Sequence, residues 1–470
     1  MTRRIERALL LAGLLAFATP VVVAIGAANA FGYDESVYAQ LTRHWLTGAP
    51  ASGWDIHRPP GLSVLGLLPQ ALFPATEWAP RFVGALAGVG LVGAGWWAAR
   101  TGGGPMAGLI AALALAAAGP LQVESSMFLT DVPSALVLLV LAVLVWRHLH
   151  GPKPIPPSFA LLGMLAAAAF YIRYGAVIEL AGLAAAAAVV APRKLLASWR
   201  AIAGALAVFA AALVPHVAIA MTETGTPWGI LASAASAAGG GTGLPLVTYL
   251  AWFPWRLIGP LGAAVALAGI AAALWHSDSD TGFARFVGVA ALVPMLVLGT
   301  IIHAEARYLL FPITLLVVLG SVQLAVHFDR SARLASVAIG SVAVAALVLA
   351  GATTWLEMRD RSDSFDWKRD AGRDISAVVG SLEDADCSIL TADVPILSWY
   401  SGCSAVNYLT GPETDRVSLL TGLHRFVVVR TDGHNQPSPE AVAELIGSAD
   451  VWRTYVTGRG ETAAVVYLLR

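Results

Sequence analysis

Residues 31–61, FGYDESVYAQLTRHWLTGAPASGWDIHRPPG, separate two apolar runs of the chain. The stretch begins with an acidic pair, Asp34 and Glu35, and ends with a basic pair, His57 and Arg58, ahead of two prolines. Ionisable side chains beside the hydrocarbon core of a membrane are costly and mark function more often than packing. The stretch is therefore the first candidate for a functional site, and the topology depends on which side of the membrane it occupies.

The composition excludes an ordinary soluble enzyme. Of the 470 residues, 57% are hydrophobic and 13% are charged, whereas soluble domains have roughly 25% charged residues. Runs rich in Ala, Leu, Val and Gly recur up to residue 356, and several reach the ~20 residues that a membrane-spanning helix needs. The sequence therefore predicts a mainly α, polytopic membrane domain over residues 1–356 and a soluble domain over residues 357–470.

The apolar runs predict about eleven transmembrane helices. We interpret the first run, which follows MTRRIER, as an uncleaved helix, because its apolar part is longer than that of a signal peptide, the alternative. The run at 61–74 is too short to span and is expected as an interfacial or re-entrant helix in a first outer loop, residues 31–80. The other spans are expected at 79–100, 105–120, 131–146, 158–170, 174–190, 202–221, 249–275, 283–302, 308–327 and 334–356.

The distribution of basic residues predicts the orientation. Arg3, Arg4 and Arg7 place the N-terminus in the cytoplasm by the positive-inside rule, and Arg100 and Arg285 fall in turns on the same side. The first outer loop and the terminal domain then lie outside a cell membrane. A net charge of −1 and the lack of a basic arm give no indication of a nucleic-acid partner.

The terminal domain is predicted to be α/β. Helical periodicity covers 366–382 and 438–449, and short apolar runs typical of strands cover 388–391, 426–429 and 463–469. Both cysteines of the chain, Cys387 and Cys403, fall in this domain. Outside the reducing compartment they are expected to form a disulfide, the alternative being two reduced thiols.

Three acidic residues at the predicted outer ends of helices are candidates for catalysis. Asp34 could act as a general base on an acceptor hydroxyl, because partial burial raises the pKa of a carboxylate; the alternative is a helix N-cap. Glu35 points to another face of the same helix and could support Asp34 or bind a metal. Asp131, in FLTDVP, either begins a helix as its cap or contacts substrate.

Three arginines suggest a phosphate site on the same side. Arg58, Arg256 and Arg307 each lie at a predicted membrane surface, and a guanidinium binds phosphate with two parallel hydrogen bonds. The alternative is an arginine that reaches the lipid headgroups without binding substrate. A divalent metal is a further hypothesis, with His57, His303 and Glu305 as its three ligands.

Several short motifs resemble the pattern of the GT-C fold glycosyltransferases, in the branch of the protein O-mannosyltransferases and the lipid A aminoarabinose transferases. They occur in the order YDESVYAQLTRHWLTG, HRPPG with an apolar run, SSMFLTDVPSALV and HAEARYLLFP. The order of elements, including the terminal domain, follows that pattern along nearly the whole chain.

The resemblance implies transfer of a sugar from a polyprenyl-phosphate-linked donor to a lipid, glycan or protein acceptor, with inversion. Asp34 would match the aspartate of the first loop, and Asp131 that of the second. Arg58 falls where many members have lysine before the double proline, and Arg307 with Tyr308 matches the segment near the lipid phosphate. His57 departs from the pattern, which leaves metal dependence open.

The main alternative is a transporter or flippase with an extracytoplasmic domain. Such proteins place ionisable residues near the middle of the bilayer, often in two related halves. No such halves are evident, and Arg173 and Glu179 are the nearest candidates for charge at that depth. A protein that keeps the fold but has lost catalysis is a third reading.

Overall fold

A computed structural model describes residues 3–27, 29–150, 159–237, 245–275, 281–301, 305–328, 334–381, 386–408, 420, 424–430, 439–447, 450–456 and 460–469. The first eleven helices are α1 (Arg3–Gly26), α2 (Tyr33–Thr47), α3 (Gly61–Leu72), α4 (Trp78–Ala116), α5 (Gly119–Ser125), α6 (Asp131–His150), α7 (Phe159–Ile172), α8 (Ala176–Val190), α9 (Pro192–Ala197), α10 (Trp199–Thr224) and α11 (Gly229–Ala237).

A π-helical turn at Thr248–Trp252 precedes α12 (Phe253–Trp275), and α13 (Thr281–Ile301) follows it. A 3₁₀ turn at Ala306–Leu309 leads into α14 (Leu310–Phe328), and α15 covers Leu334–Gly380. Within the described ranges, seven helices are long and apolar enough to cross a membrane, and three shorter apolar helices are α3, α7 and α8. The prediction of a polytopic, mainly helical chain is confirmed.

Helix α4 contains two of the predicted spans, which fold back on each other at Gly104. This glycine has a φ of +80°, a left-handed conformation that other residues rarely adopt, and Pro105 begins the second arm. A Cβ on Gly95 would lie 2.4 Å from Leu115, and one on Gly108 would lie 2.9 Å from the carbonyl oxygen of Trp96. Glycines on both arms therefore let the two arms pack closely.

The structure divides into two compact units. The first, here called the helical unit, comprises Met1–Ala24, Ile56–Leu62 and Val83–Trp355. The second, here called the sheet unit, comprises Ile25–Asp55, Ser63–Phe82 and Leu356–Arg470. Residues 31–80 were predicted to belong to the membrane domain, whereas most of that segment packs with the terminal domain.

The sheet unit is built on five strands: β1 (Cys387–Thr391), β2 (Ser404–Val406), β3 (His424–Arg430), β4 (Asp450–Val456) and β5 (Thr462–Leu469). Their order is β2-β1-β3-β5-β4; β2, β1 and β3 are parallel, and β5 is antiparallel to both β3 and β4. Helices α16 (Val394–Ser401) and α17 (Pro439–Ile446) connect strands. The predicted α/β class is correct, although β2, β4 and α16 were not predicted.

Helix α15 differs from its prediction. The sequence suggested a span at 334–356 and a separate helix at 366–382, but the charged residues between them continue a single helix of 47 residues. The intervening segment EMRDRSDSFDWKRD has no Pro or Gly, so nothing in it ends a helix.

Helix α16 is the surface of the sheet unit on which α2 packs. The Arg43 guanidinium donates to the carbonyl oxygen of Trp399 at 2.8 Å, and the Gln40 amide donates to that of Pro395. Further along, the Ala405 N–H donates to Ser52 Oγ at 2.9 Å. Residues near the beginning and the end of the chain thus form one packed structure.

A disulfide joins Cys387 to Cys403 and encloses α16, because β1 begins at Cys387 and β2 follows Cys403. Both cysteines belong to a buried cluster with Ile375 of α15, Phe426 of β3 and Val466 of β5. The disulfide therefore restricts the segment that contains α16, on which α2 packs.

Replacing both cysteines by serine should lower the free energy of unfolding of the sheet unit. The cross-link separates residues 16 apart in sequence, and the chain-entropy model gives about 3 kcal/mol for a loop of that size. Thermal unfolding in nanodiscs, followed by tryptophan fluorescence, measures the change. Reductant should lower the transition of the unmodified protein and leave that of the double variant unaltered; equal transitions in all samples would contradict the expectation.

Candidate active site

The acidic pair occupies the first turn of α2. The N-cap of this helix is Gly32, so the alternative in which Asp34 is the N-cap is wrong. Glu35 satisfies the helix end instead, since its Oε2 accepts a hydrogen bond from the Gly32 N–H at 2.9 Å. Asp34, one position earlier, is half-buried.

Glu35 forms a buried ion pair with Arg81 in the sheet unit. Arg81 Nε lies 2.8 Å from Glu35 Oε1, and Arg81 Nη2 lies 3.0 Å from Oε2. The same guanidinium donates to the carbonyl oxygens of Asn29 at 2.8 Å and Ala30 at 3.2 Å. Arg81 therefore binds both the first turn of α2 and the segment that precedes this helix.

Two residues of the terminal domain bind the same entering segment. The Ala30 N–H donates to Asp366 Oδ1 at 3.1 Å, and the Phe31 N–H donates to the Tyr400 hydroxyl at 2.9 Å. Burial raises the pKa of Tyr400 above its usual range, so its hydroxyl stays neutral at physiological pH. The backbone leading to Asp34 is thus fixed by side chains from three parts of the sequence.

A second polar cluster lies in the helical unit and centres on Arg173, in the turn between α7 and α8. Arg173 Nε is 3.6 Å from Asp131 Oδ1, and Arg173 Nη1 is 3.3 Å from Glu179 Oε1. Its guanidinium carbon lies 4.8 Å from the ring centroid of Tyr308. Both carboxylates are almost fully buried, so the arginine compensates charges that could not otherwise be placed there.

Arg307 extends this cluster. Its guanidinium carbon lies 5.9 Å from the Tyr308 ring, and its Nε binds Glu305 Oε2 at 2.6 Å. Two guanidinium groups therefore contact one tyrosine ring. Arg307 is 25% exposed, compared with 14% for Arg173, which makes Arg307 the more accessible of the two to a ligand.

The segment with His57 and Arg58 packs beside the Arg173 turn. The Tyr174 hydroxyl lies 3.5 Å from the carbonyl oxygen of Ile56. A Cβ on Gly61 would lie 2.4 Å from the carbonyl oxygen of Tyr171, so only glycine fits there. The structure therefore brings the HRPPG motif next to the cluster of Asp131, Arg173 and Tyr308.

Three further basic residues of the helical unit make contacts of their own. Arg100 Nε binds Glu6 Oε1 at 2.8 Å, the Lys194 ammonium donates to the carbonyl oxygen of Leu149, and Arg147 lies 5.9 Å from the Trp97 ring. Arg100 was predicted on the cytoplasmic side with the N-terminus, and the Glu6–Arg100 pair places it beside the N-terminal helix. The side of the membrane itself stays a prediction.

Among the described contacts, Arg256 does not join the cluster. Arg256 is exposed, and its guanidinium carbon lies 5.5 Å from the Trp252 ring. His303, from the proposed metal set, lies outside the described residues. Conversely, the sequence analysis gave no role to Arg81; the signal was an arginine at the start of an apolar span, in WAPRF.

The described residues do not fit a metal centre. Among them, no three His, Cys, Asp or Glu side chains are arranged to hold an ion. Both oxygens of the Glu35 carboxylate bind Arg81, and Glu305 binds Arg307. A carboxylate already paired with a guanidinium is a poor ligand for a divalent cation, because the arginine would lose its counterion.

Comparison with known proteins supports the GT-C resemblance. Residues 57–219 match the family model of dolichyl-phosphate-mannose-protein mannosyltransferase. No curated protein matches the sequence significantly. Solved structures match the fold along nearly the entire chain, at low sequence identity.

One such structure is ArnT from Cupriavidus metallidurans bound to undecaprenyl phosphate, with a TM-score of 0.70 and 15% identity over 99% of this chain and 98% of that chain. Another is the Archaeoglobus fulgidus oligosaccharyltransferase in complex with Zn and sulfate, with a TM-score of 0.62 and 13% identity over 97% of this chain and 72% of that chain. The mycobacterial arabinofuranosyltransferase AftD gives a TM-score of 0.53 and 14% identity, over 99% of this chain and 41% of that chain. This chain therefore has the fold of the GT-C membrane glycosyltransferases.

Proposed function

We propose that the chain is a glycosyltransferase that moves a sugar from a polyprenyl-phosphate-linked donor to an acceptor at the outer face of the cell membrane. The observation that carries the proposal is the cluster of Arg173 and Arg307 on Tyr308, beside the HRPPG segment. Guanidinium groups are the side chains best suited to phosphate, and those of this cluster occur in a fold solved elsewhere with undecaprenyl phosphate.

On the donor side, Arg307 and Arg58 bind the lipid phosphate. Arg173 is already neutralised by Asp131 and Glu179, so its role is to fix Asp131 and the Tyr308 ring. Arg256, stacked on Trp252, can contact the lipid phosphate or the headgroups from the membrane surface. Cations placed in advance around the phosphate stabilise the charge that builds up when the leaving group departs.

On the acceptor side, Asp34 takes the proton. The acceptor oxygen attacks the anomeric carbon while the bond from that carbon to the phosphate oxygen breaks, and the bond electrons leave with the polyprenyl phosphate. The hydroxyl proton passes to the Asp34 carboxylate, and attack opposite to the leaving group inverts the configuration. No step is assigned to a metal, since the described side chains do not fit one.

Glu35 acts through Arg81 as a positioning residue. Its carboxylate is 4% exposed and its two oxygens bind Arg81 and the Gly32 N–H, so it has no direct access to substrate. The pair fixes the first turn of α2 and thereby the direction of the Asp34 side chain. Positioning of a catalytic group within a fraction of an ångström is worth large factors in rate.

Replacing Asp34 by asparagine should abolish transfer. The amide keeps the shape of the carboxylate but cannot accept the proton. The assay is incorporation of radiolabel from a panel of polyprenyl-phosphate sugars into lipid, glycan or protein. Asp360→Asn on the exposed face of α15 removes the same charge elsewhere and should leave transfer intact. Unchanged transfer by Asp34→Asn would remove the assigned base, and no transfer from any donor by the unmodified protein would favour a transporter.

Glu35→Gln should lower both stability and the turnover number, because it leaves Arg81 buried without a counterion, at a cost of about 3 kcal/mol or more. The matched control is Asp393→Asn, which breaks the similarly buried Lys368–Asp393 pair at 2.7 Å in the same unit. We expect similar losses of thermal stability for both variants but a fall in kcat for Glu35→Gln alone. Equal kcat values for the two would reduce Glu35 to a purely structural role.

Arg173→Gln should raise the KM for the donor by about tenfold, equivalent to about 1.4 kcal/mol. The physical reason is that Arg173 would no longer hold Asp131 and the Tyr308 ring in place beside the donor phosphate, and that the buried Glu179 carboxylate would lose the guanidinium that binds it. Adding Glu179→Gln to this variant should restore part of the affinity. Arg200→Gln, an exposed arginine stacked on Trp199 at 5.5 Å, is the control; an equal donor KM in all four proteins would disprove the assignment.

A further inference from the structure

A polar cavity of about 230 Å³ lies within the sheet unit, apart from the residues assigned to the transfer step. Helix α2 contributes Arg43 to its wall, the segment before α4 contributes Glu77, and α15 contributes Arg373. The end of α16 adds Trp399 and Tyr400. The volume admits a headgroup or a sugar ring, rather than a whole glycan.

Arg43 has no carboxylate partner among its described contacts. Its Nη1 and Nη2 donate to the carbonyl oxygens of Trp399 and Ser398, at 2.8 and 3.3 Å, and its guanidinium carbon lies 4.4 Å from the Trp399 ring. Its Nε is buried and makes no hydrogen bond. Burial lowers the pKa of Arg43 to about 10. This direction is expected for a buried cation that has little negative charge beside it.

Helix α15 supplies a second cation to the lining of the cavity. Arg373 Nη2 lies 3.2 Å from Glu77 Oε1, and its guanidinium carbon lies 5.9 Å from the Tyr400 ring. Arg373 is 58% exposed whereas Glu77 is 12% exposed, so the arginine can turn toward a ligand while the carboxylate stays in place. With two arginines and one carboxylate, the cavity is net positive.

We propose that this cavity binds an oxyanion, a phosphate or a carboxylate, that the acceptor molecule carries at a distance from its reacting hydroxyl. Arg43 and Arg373 bind the oxyanion, and the rings of Trp399 and Tyr400 contact the atoms that adjoin it. The acceptor role rests on the proposed function, whereas the binding itself does not. The cavity would then select acceptors by charge.

The distance follows from α2. Arg43 comes nine positions after Asp34 on that helix, which corresponds to about 13 Å along the axis at 1.5 Å per residue. An oxyanion bound at Arg43 is thus too far from Asp34 to be the group that attacks the donor. The cavity therefore predicts an acceptor in which the anionic group and the reacting hydroxyl are about 13 Å apart, and thus not on the same sugar ring.

Binding can be measured on the full-length protein in nanodiscs of neutral lipid, without any transfer. The probes are glucose 6-phosphate, glucuronate and glucose, titrated calorimetrically at constant ionic strength. We expect one or both anionic sugars to bind and glucose not to bind, and the anionic sugar that binds identifies the oxyanion. Glucose binding as tightly as the anionic sugars would overturn the proposal, as would no binding of any probe.

Removing a cation and removing a carboxylate from the cavity should change the affinity for the anionic sugar in opposite directions. Arg373→Gln should weaken binding about tenfold, the loss expected for one charge-assisted hydrogen bond. Glu77→Gln should instead tighten binding, because it removes the repelling carboxylate and frees Arg373. The matched control is Arg453→Gln: Arg453 is also 58% exposed, pairs with Asp374 at 3.3 Å in the same unit, and should not affect binding.

The outcomes separate this proposal from the proposed function. Weaker binding in Glu77→Gln, or equal binding in Arg373→Gln and Arg453→Gln, would overturn the cavity assignment even if transfer is intact. In the transfer assay, Arg373→Gln should raise the acceptor KM and leave kcat unchanged. If the anionic sugars bind as expected but no donor supports transfer, the cavity stands and the glycosyltransferase proposal fails.

Discussion

The ion pair between Arg81 and Glu35 is the interaction on which the presentation of Asp34 depends. Arg81 also binds the carbonyl oxygens of Asn29 and Ala30, so one side chain fixes the chain from residue 29 to residue 35. Removing two charges from water costs several kcal/mol per ion, and this cost is recovered only when every donor finds a partner. Here the donors of the guanidinium bind Glu35 and the two backbone carbonyls, so the pair chiefly contributes a defined geometry.

The helical unit also contains buried charges that are paired with an arginine. Arg173 pairs with two buried carboxylates, Asp131 and Glu179, and it shares the Tyr308 ring with Arg307. Charges in such surroundings interact more strongly than in water, because the local dielectric constant is low. Under the proposed function, a donor phosphate at this cluster would meet cations whose positions are already set, and little reorganisation would be required.

Much of the fold could be predicted from the sequence, because length and polarity alone identify membrane helices and the return of charge at residue 357 marks the terminal domain. Local signals also located three strands and the first turn of α2. The strands that were missed depend on distant contacts. Strand β2 has three residues and β4, DVWRTYV, carries charges, so neither shows a buried-strand pattern; their partners β1 and β5 supply the pairing.

Some residues of the candidate site could be predicted from the sequence and others could not. Asp34, Asp131 and Arg307 could be proposed from charge at predicted helix ends, whereas Arg81 could not, since its partner lies 46 residues earlier. The mistaken N-cap alternative for Asp34 has a local cause: Gly32 is a weaker cap signal than Asp, and the side chain of Glu35 satisfies the helix end in its place.

The sheet unit combines segments that are far apart in the sequence, and this has a consequence for biosynthesis. The bond from Phe31 to Tyr400 joins residues 369 apart, and that from Ala30 to Asp366 joins residues 336 apart. Contacts of such sequence separation form late, since the chain between them must first be made and the entropy of closing the loop must be overcome. The segment from Ala30 to Glu35 is thus made long before its final neighbours in the terminal domain, which follow every membrane helix in the sequence. In a nascent or prematurely ended chain, Asp34, the proposed base, therefore lacks the contacts that order the segment before it.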